Sequence, residues 1–176
     1  MDPQPRPSAM ETQIDFVGYS DDCTVEGRVG LECSRLADML NDKPTIVVHD
    51  AVVVSTAEGH RTTFDELEIN REELGIVVAS GPRGDPQRRL ATRPNEVAVK
   101  LGPYSAAGFM HAPATANPIR DFNRRPVMVA ITDAMIEYDY CDERVSQWYQ
   151  TILINRELAL SLRAVTNPDG IPIETE

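Results

Sequence analysis

The chain predicts a mainly β protein: a tandem duplication of one small β-barrel, each copy carrying one short helix, the two related by a pseudo-twofold axis. Three observations predict this. A set of short markers occurs twice in the same order, at offsets of 81 to 85 residues. The segments between markers are rich in valine and isoleucine, which suit a pleated, half-buried surface. Glycine, proline, asparagine and aspartate punctuate them at short intervals, as turns require.

Taken in order, each copy reads as strand, strand, one helical turn, long strand, strand, strand. The first strand is I-D-F-V-G-Y-S from Ile14, set against V-A-V-K-L-G-P-Y-S from Val97, with Gly18 and Tyr19 answering Gly102 and Tyr104. A turn follows, four residues shorter in the second copy, ending at Gly27 and Gly108. Next come S-R-L-A-D-M-L-N from Ser34 and N-P-I-R-D-F-N from Asn117. Ser34 and Asn117 are good helix N-caps, and Pro118 fits a first helical position. The long strands K-P-T-I-V-V-H-D-A-V-V-V and R-P-V-M-V-A-I-T-D-A-M-I share Asp50-Ala51 and Asp133-Ala134. Both copies close on I-N-R-E, at Ile69 and Ile154. Asn70 and Asn155 sit where apolar runs meet, and asparagine tolerates a left-handed turn there.

One such unit would bury too little surface to be comfortable alone, and pairing two repairs that. The resulting organisation is a disordered leader over residues 1–10, one repeat over 11–80, a linker over 81–96, a second repeat over 97–166 and a tail over 167–176. The leader holds three prolines and no apolar run of signal-peptide kind. Open strand edges are exposed or used in assembly.

Composition excludes several function classes. Of 176 residues, 41% are hydrophobic, enough for a real core, but no apolar run approaches the ~20 residues of a membrane helix. The net charge of −11 is concentrated in residues 11–80, where 15 acids face 5 bases; residues 97–165 hold 7 of each. That acidity disfavours phosphate backbones and membranes and favours basic partners. Cys23, Cys33 and Cys141 show no C-x-x-C spacing and suit a reducing cytoplasm.

The order of features resembles the Sm-like small β-barrel, with SH3-like character. The residues that carry it are Gly27, Asp38, Leu40-Asn41, Asp50-Ala51 and Ile69-Asn70-Arg71, and in the second copy Gly108, Asp121, Phe122-Asn123, Asp133-Ala134 and Ile154-Asn155-Arg156. The chain is also similar to uncharacterised bacterial domains with R-L-x-D-x-L-N, an aspartate-alanine strand and an asparagine-containing final hairpin. The Sm-like resemblance implies base binding by Asn41 with Arg71, and by Asn123 with Arg156. Glutamate after each arginine opposes phosphate at that place.

No G-x-S-x-G, Walker lysine, H-E-x-x-H or G-x-G-x-x-G occurs. His49 is an ordinary strand histidine or a base beside Asp50, and the second copy has Thr132 there. A hydrolase or transferase would need His49, Asp50 and Cys33 gathered in one pocket. Duplication of Asp50 and Asp133 points instead to a structural role, accepting turn amide hydrogens. A helix N-terminus beside Cys33 would lower its thiol pKa. The second copy alone carries Tyr138, Tyr140, Trp148 and Tyr149 in one aromatic insertion, a protein-contact anchor or a cover for its own module. The uncharged, proline-broken stretch from Gly108 to Pro118 lines a groove or forms a loop.

The expectation is a non-enzymatic protein-interaction or assembly module, cytoplasmic, bound to a protein partner or to itself, with no cofactor or metal. RNA or nucleotide binding through Asn41, Arg71, Asn123 and Arg156 is the alternative.

Overall fold

The computed structural model describes residues 12–83 and 90–165, so the proposed leader and tail, and residues 84–89 of the proposed linker, lie outside the described residues. The described chain forms ten strands and one α-helix. In order these are β1 (Thr12–Tyr19), β2 (Cys23–Leu31), α1 (Leu36–Asp42), β3 (Thr45–Ser55), β4 (Arg61–Asn70), β5 (Ile76–Val78), β6 (Arg93–Leu101), β7 (Tyr104–Ala112), β8 (Met128–Tyr140), β9 (Glu143–Asn155) and β10 (Ser161–Ala164). A single 3-10 turn, Phe122–Arg124, stands in the second half where α1 stands in the first. β6 begins at Arg93, inside the tract read as a linker.

The fold is mainly β, as the sequence predicts, but two barrels do not form. All ten strands belong to one open antiparallel sheet in the order β10-β6-β7-β8-β9-β5-β1-β2-β3-β4. The reason is a cross-connection. β5 pairs with β1 of its own half (Gly18 with Val77) and, on its other edge, with β9 of the second half (Val77 with Leu153). Its hydrogen bonds are shared between the halves, so neither half closes on itself.

The same ladder recurs in each half. Thr24–Val54 and Val25–Val53 between β2 and β3 have counterparts Ser105–Glu137 and Ala106–Ile136 between β7 and β8. Ile46–Ile69 and Ala51–Phe64 match Val129–Ile154 and Ala134–Tyr149. Gly18–Val77 and Tyr19–Ile76 match Val99–Leu162 and Lys100–Ser161. This register corrects two details. Tyr19 answers Lys100, not Tyr104. The first turns are equal in length, since Ser20 donates to the Cys23 carbonyl across Asp21-Asp22 just as Leu101 and Tyr104 flank Gly102-Pro103.

Two cores lie on opposite faces of the central strands. Side chains alternate along a strand. Ile152 and Ile154 therefore enter the second core while Leu153 enters the first, and Ile76 and Val77 divide in the same way. The first half curls over one face and the second half over the other. Helix α1 is held to the second half by Asn41, whose amide donates to the Met128 carbonyl at 3.1 Å and accepts from the Met128 N–H at 2.8 Å.

The paired glycine and aspartate-alanine markers are β-bulges. The register shifts between Glu26 and Arg28, and again between Ala107 and Phe109, where Asp50-Ala51 and Asp133-Ala134 stand opposite one glycine each. Asp50 has φ 49° and Asp133 φ 48°, both left-handed. A Cβ on Gly27 would lie 2.7 Å from the His49 carbonyl oxygen, and one on Gly108 2.7 Å from that of Thr132. Only glycine lets the strands approach so closely. The expected acceptance of turn amides is not what Asp50 does: its carboxylate is ion-paired with Arg28.

I-N-R-E does join the last two strands of each half, but without a left-handed asparagine. Asn70 is extended (φ −77°, ψ 133°) and opens a 3-10 turn at Arg71–Glu73. Asn117 does not cap a helix as predicted: its side chain accepts from the Ile119 and Arg120 amides at 3.0 and 3.1 Å within a turn, and the N-cap of the short 3-10 helix that follows is Asp121. Ser34 does not cap one either; the α1 N-cap is Arg35, with no side-chain bond.

Candidate functional site

The aromatic residues singled out in the sequence fall into two environments. Tyr138 is buried and packs with Tyr19 and Tyr104, at ring-centroid distances of 5.7 and 5.4 Å. Tyr149 is half-buried, its hydroxyl 2.7 Å from that of Tyr19 and 2.8 Å from Gln147 Oε1. Tyr140 packs on the same core. Trp148 points to the other face of β9 and is 58% exposed, beside Met135 at 40% on β8. The insertion amounts to two residues, which lengthen the β8–β9 hairpin to a two-residue turn at Cys141-Asp142, both at positive φ.

The tyrosine cluster was not legible in the sequence, because its members come from β1, β7 and β8. Tyr19 donates to Gln147 Oε1 at 2.6 Å, and Tyr104 to the Ser20 carbonyl at 2.6 Å. Burial, and then the Tyr149 hydroxyl, pushes the Tyr19 phenol far above its ordinary value. Burial pushes Tyr104 and Tyr138 up as well.

Of the four residues of the nucleotide alternative, Asn41 and Arg71 are brought into contact, while Arg156 bonds to Arg125, two residues from Asn123. Arg71 donates to the Leu40 and Asn41 carbonyls at 3.1 and 3.2 Å, satisfying the end of α1. Arg156 donates from Nε to the Arg125 carbonyl at 2.8 Å. Asn41 spans to Met128, as above, and Asn123 is exposed. Three of the four are thus engaged with backbone.

His49 lines a cavity of about 340 Å³ with Lys43, Thr45 and Glu66, its Nδ1 3.3 Å from Glu66 Oε1. Neither Asp50 nor Cys33 bounds that cavity. Cys33 is half-buried against the first core, and all three cysteines are free thiols. Among the described residues no group of three or more His, Cys, Asp or Glu could hold a metal ion, and no helix is long and apolar enough to cross a membrane.

The most distinctive open feature is a groove of about 300 Å³ along β4, walled by Val25, Val53, Phe64, Leu67 and Ile69 and rimmed by Glu68 and Glu73. By ladder register, Phe64, Leu67 and Ile69 answer Tyr149, Ile152 and Ile154 in the second half. There the equivalent space is occupied: Tyr19 and Ile76 from the first half are buried in it. In the first half the same space is open, and Phe64 is 40% exposed. Beside it, the outer edge of β4 has no strand neighbour among the described residues; nor has that of β10 at the opposite end of the sheet.

Compared with protein-family models, curated proteins and solved structures, the chain matches none of them.

Proposed function

We propose that the protein is a non-enzymatic interaction and assembly module, a duplicated β unit whose unpaired strand edges are its binding surfaces. The observation that carries this reading is the end strand β4, with an open edge and an apolar groove along it. An exposed edge offers a row of backbone donors and acceptors, and a flanking groove takes alternate side chains of an added strand. Duplication is supported by the ladder, which recurs in the same order at offsets of 81 to 85 residues through bulge, hairpin and last strand. The Sm-like reading is supported by the order of elements in each half, and a cytoplasmic setting by the three free thiols. The acids of the first half favour a partner strand that carries basic side chains. Trp148 offers a second, separate anchor on the β8–β9 hairpin.

The test is capture of a partner, another protein or a further copy, in stoichiometric amount by the immobilised full chain. Glu66→Pro, which removes a backbone donor from β4, should abolish capture while the protein stays folded. Equal capture by this variant would overturn the reading. Oligo-uridine binding that weakens with salt and is lost in Arg71→Ala with Arg156→Ala would favour the nucleotide alternative instead.

A further inference from the structure

We infer that the partner of the β4 edge is the β10 edge of a second copy of this chain, added in the register that joins β5 to β9 within one chain. The inference rests on the assembly reading above and names its partner. Its basis is the recurrent ladder. β5 and β10 hold the same place in their halves, each pairing with the first strand of its half through equivalent residues: Val77 with Gly18, Leu162 with Val99. β4 and β9 are likewise equivalent, ending on Asn70 and Asn155 opposite the starts of β3 and β8. One of the two possible β5-type to β9-type junctions is made inside the chain, and among the described residues the other two edges are left over at the ends of the sheet.

The internal junction therefore supplies the register of the external one. Ile76–Ile154, Val77–Leu153 and Val78–Ile152 translate into Ser161–Ile69, Leu162–Glu68 and Arg163–Leu67. The Ala79 N–H donates to the Thr151 carbonyl at 3.0 Å, and the Asn155 N–H to the Gly75 carbonyl at 2.8 Å. Their translations run from Ala164 to Glu66 and from Asn70 to Leu160. Leu160 is 72% exposed in the single chain, next to this edge.

Side-chain chemistry agrees with this assignment. Tyr19, which plugs the occupied site, answers Lys100. The open groove would thus receive the stem of Lys100 between apolar walls, with its ammonium at the rim beside Glu68 and Glu73. Arg163 would stand diagonal to Asp65 on the same face of the new strand pair. The arriving edge is basic and the receiving edge, with Asp65, Glu66 and Glu68, is acidic. Such a contact is head-to-tail, so copies add until the rotation closes a ring.

Sedimentation of the full chain across a concentration series, read against the monomer mass of 19.5 kDa, tests this. Assembly to a multiple of that mass is expected. Ala164→Pro, which removes the proposed donor at the end of β10, and Arg163→Glu should each weaken it by about tenfold or more while thermal unfolding stays cooperative. Mixing one chain carrying Leu67→Cys with another carrying Arg163→Cys should give an interchain disulfide. A register-shifted pair, Glu66→Cys with Arg163→Cys, should not. A monomer at every concentration overturns the inference, as does assembly indifferent to both substitutions or cross-linking in the shifted register. If the chain captures a different protein through β4 and never itself, the assembly reading stands and this inference falls.

Discussion

A glycine and a left-handed aspartate define the sharpest constraint at the residue scale. The bulge in each half needs a glycine on one strand because a carbonyl oxygen of the neighbouring strand occupies the space of its Cβ. Gly27→Ala or Gly108→Ala should each destabilise the fold by about 1–3 kcal/mol, because backbone atoms, unlike a flexible side chain, cannot step aside. The aspartates answer a different demand. A β-branched side chain in the left-handed region is strained, whereas glycine is not. Asp133→Val should therefore lower the midpoint of thermal unfolding while Asp133→Gly leaves it unchanged or raises it; equal loss in both would mean that the carboxylate, not the backbone, matters there. The markers were readable as repeated letters. Their meaning as bulges was not, since a bulge is a relation between strands that are distant in sequence.

Composition along the strands carries more topology than the element order alone conveys. β9 ends on Ile152-Leu153-Ile154, a continuous apolar run, and all three are buried because strands and cores lie on both sides of it. Its equivalent in β4 is Leu67-Glu68-Ile69, which alternates, as a strand with one wet face does. β5, Ile76-Val77-Val78, and β10, Ser161-Leu162-Arg163, differ in the same way. Leu153→Glu should consequently cost several kcal/mol in chemical denaturation, by placing an unpaired carboxylate in the first core. Glu68→Leu, the reciprocal change on an exposed position, should alter stability by less than about 0.5 kcal/mol. Similar effects of the two would contradict the central and peripheral placement of these strands.

For the whole molecule, the halves share their hydrogen bonds at β5 and β9 and their side chains at the tyrosine cluster, so they should unfold together. The cluster gives that unity a pH dependence. Burial holds the protons of Tyr19 and Tyr104 well above the ordinary phenol value and pushes Tyr138 up as well. In the unfolded chain they ionise near pH 10. Their contribution is thus complete below about pH 10 and declines as pH rises beyond it, by about 1.4 kcal/mol per pH unit for each of Tyr19 and Tyr104. Ultraviolet titration should show Tyr19 and Tyr104, two of the five tyrosines, ionising only as the fold is lost. Tyr104→Phe should make the alkaline decline shallower; an unchanged slope would remove the cluster as its cause.

The helix expected in the second half is a 3-10 turn, and the first turns, expected to differ, are equal in length. The sequence by itself nonetheless determined the β class, the order of the strands, the short helix of the first half and the recurrence of the markers. All of these are local or periodic properties: side-chain alternation, β-branched runs, turn residues, and repetition that needs no coordinates. Only the tertiary structure decided that the strands form one open sheet instead of two barrels, that Asn41, Arg71 and Arg156 engage backbone carbonyls, and that one groove is filled while its counterpart lies open. Those outcomes depend on which strand the short β5 joins across a long stretch of chain. A three-residue strand has the same local propensity whichever edge it meets, so the choice is settled by the long-range burial of Ile76, Val77 and Tyr19 against β9.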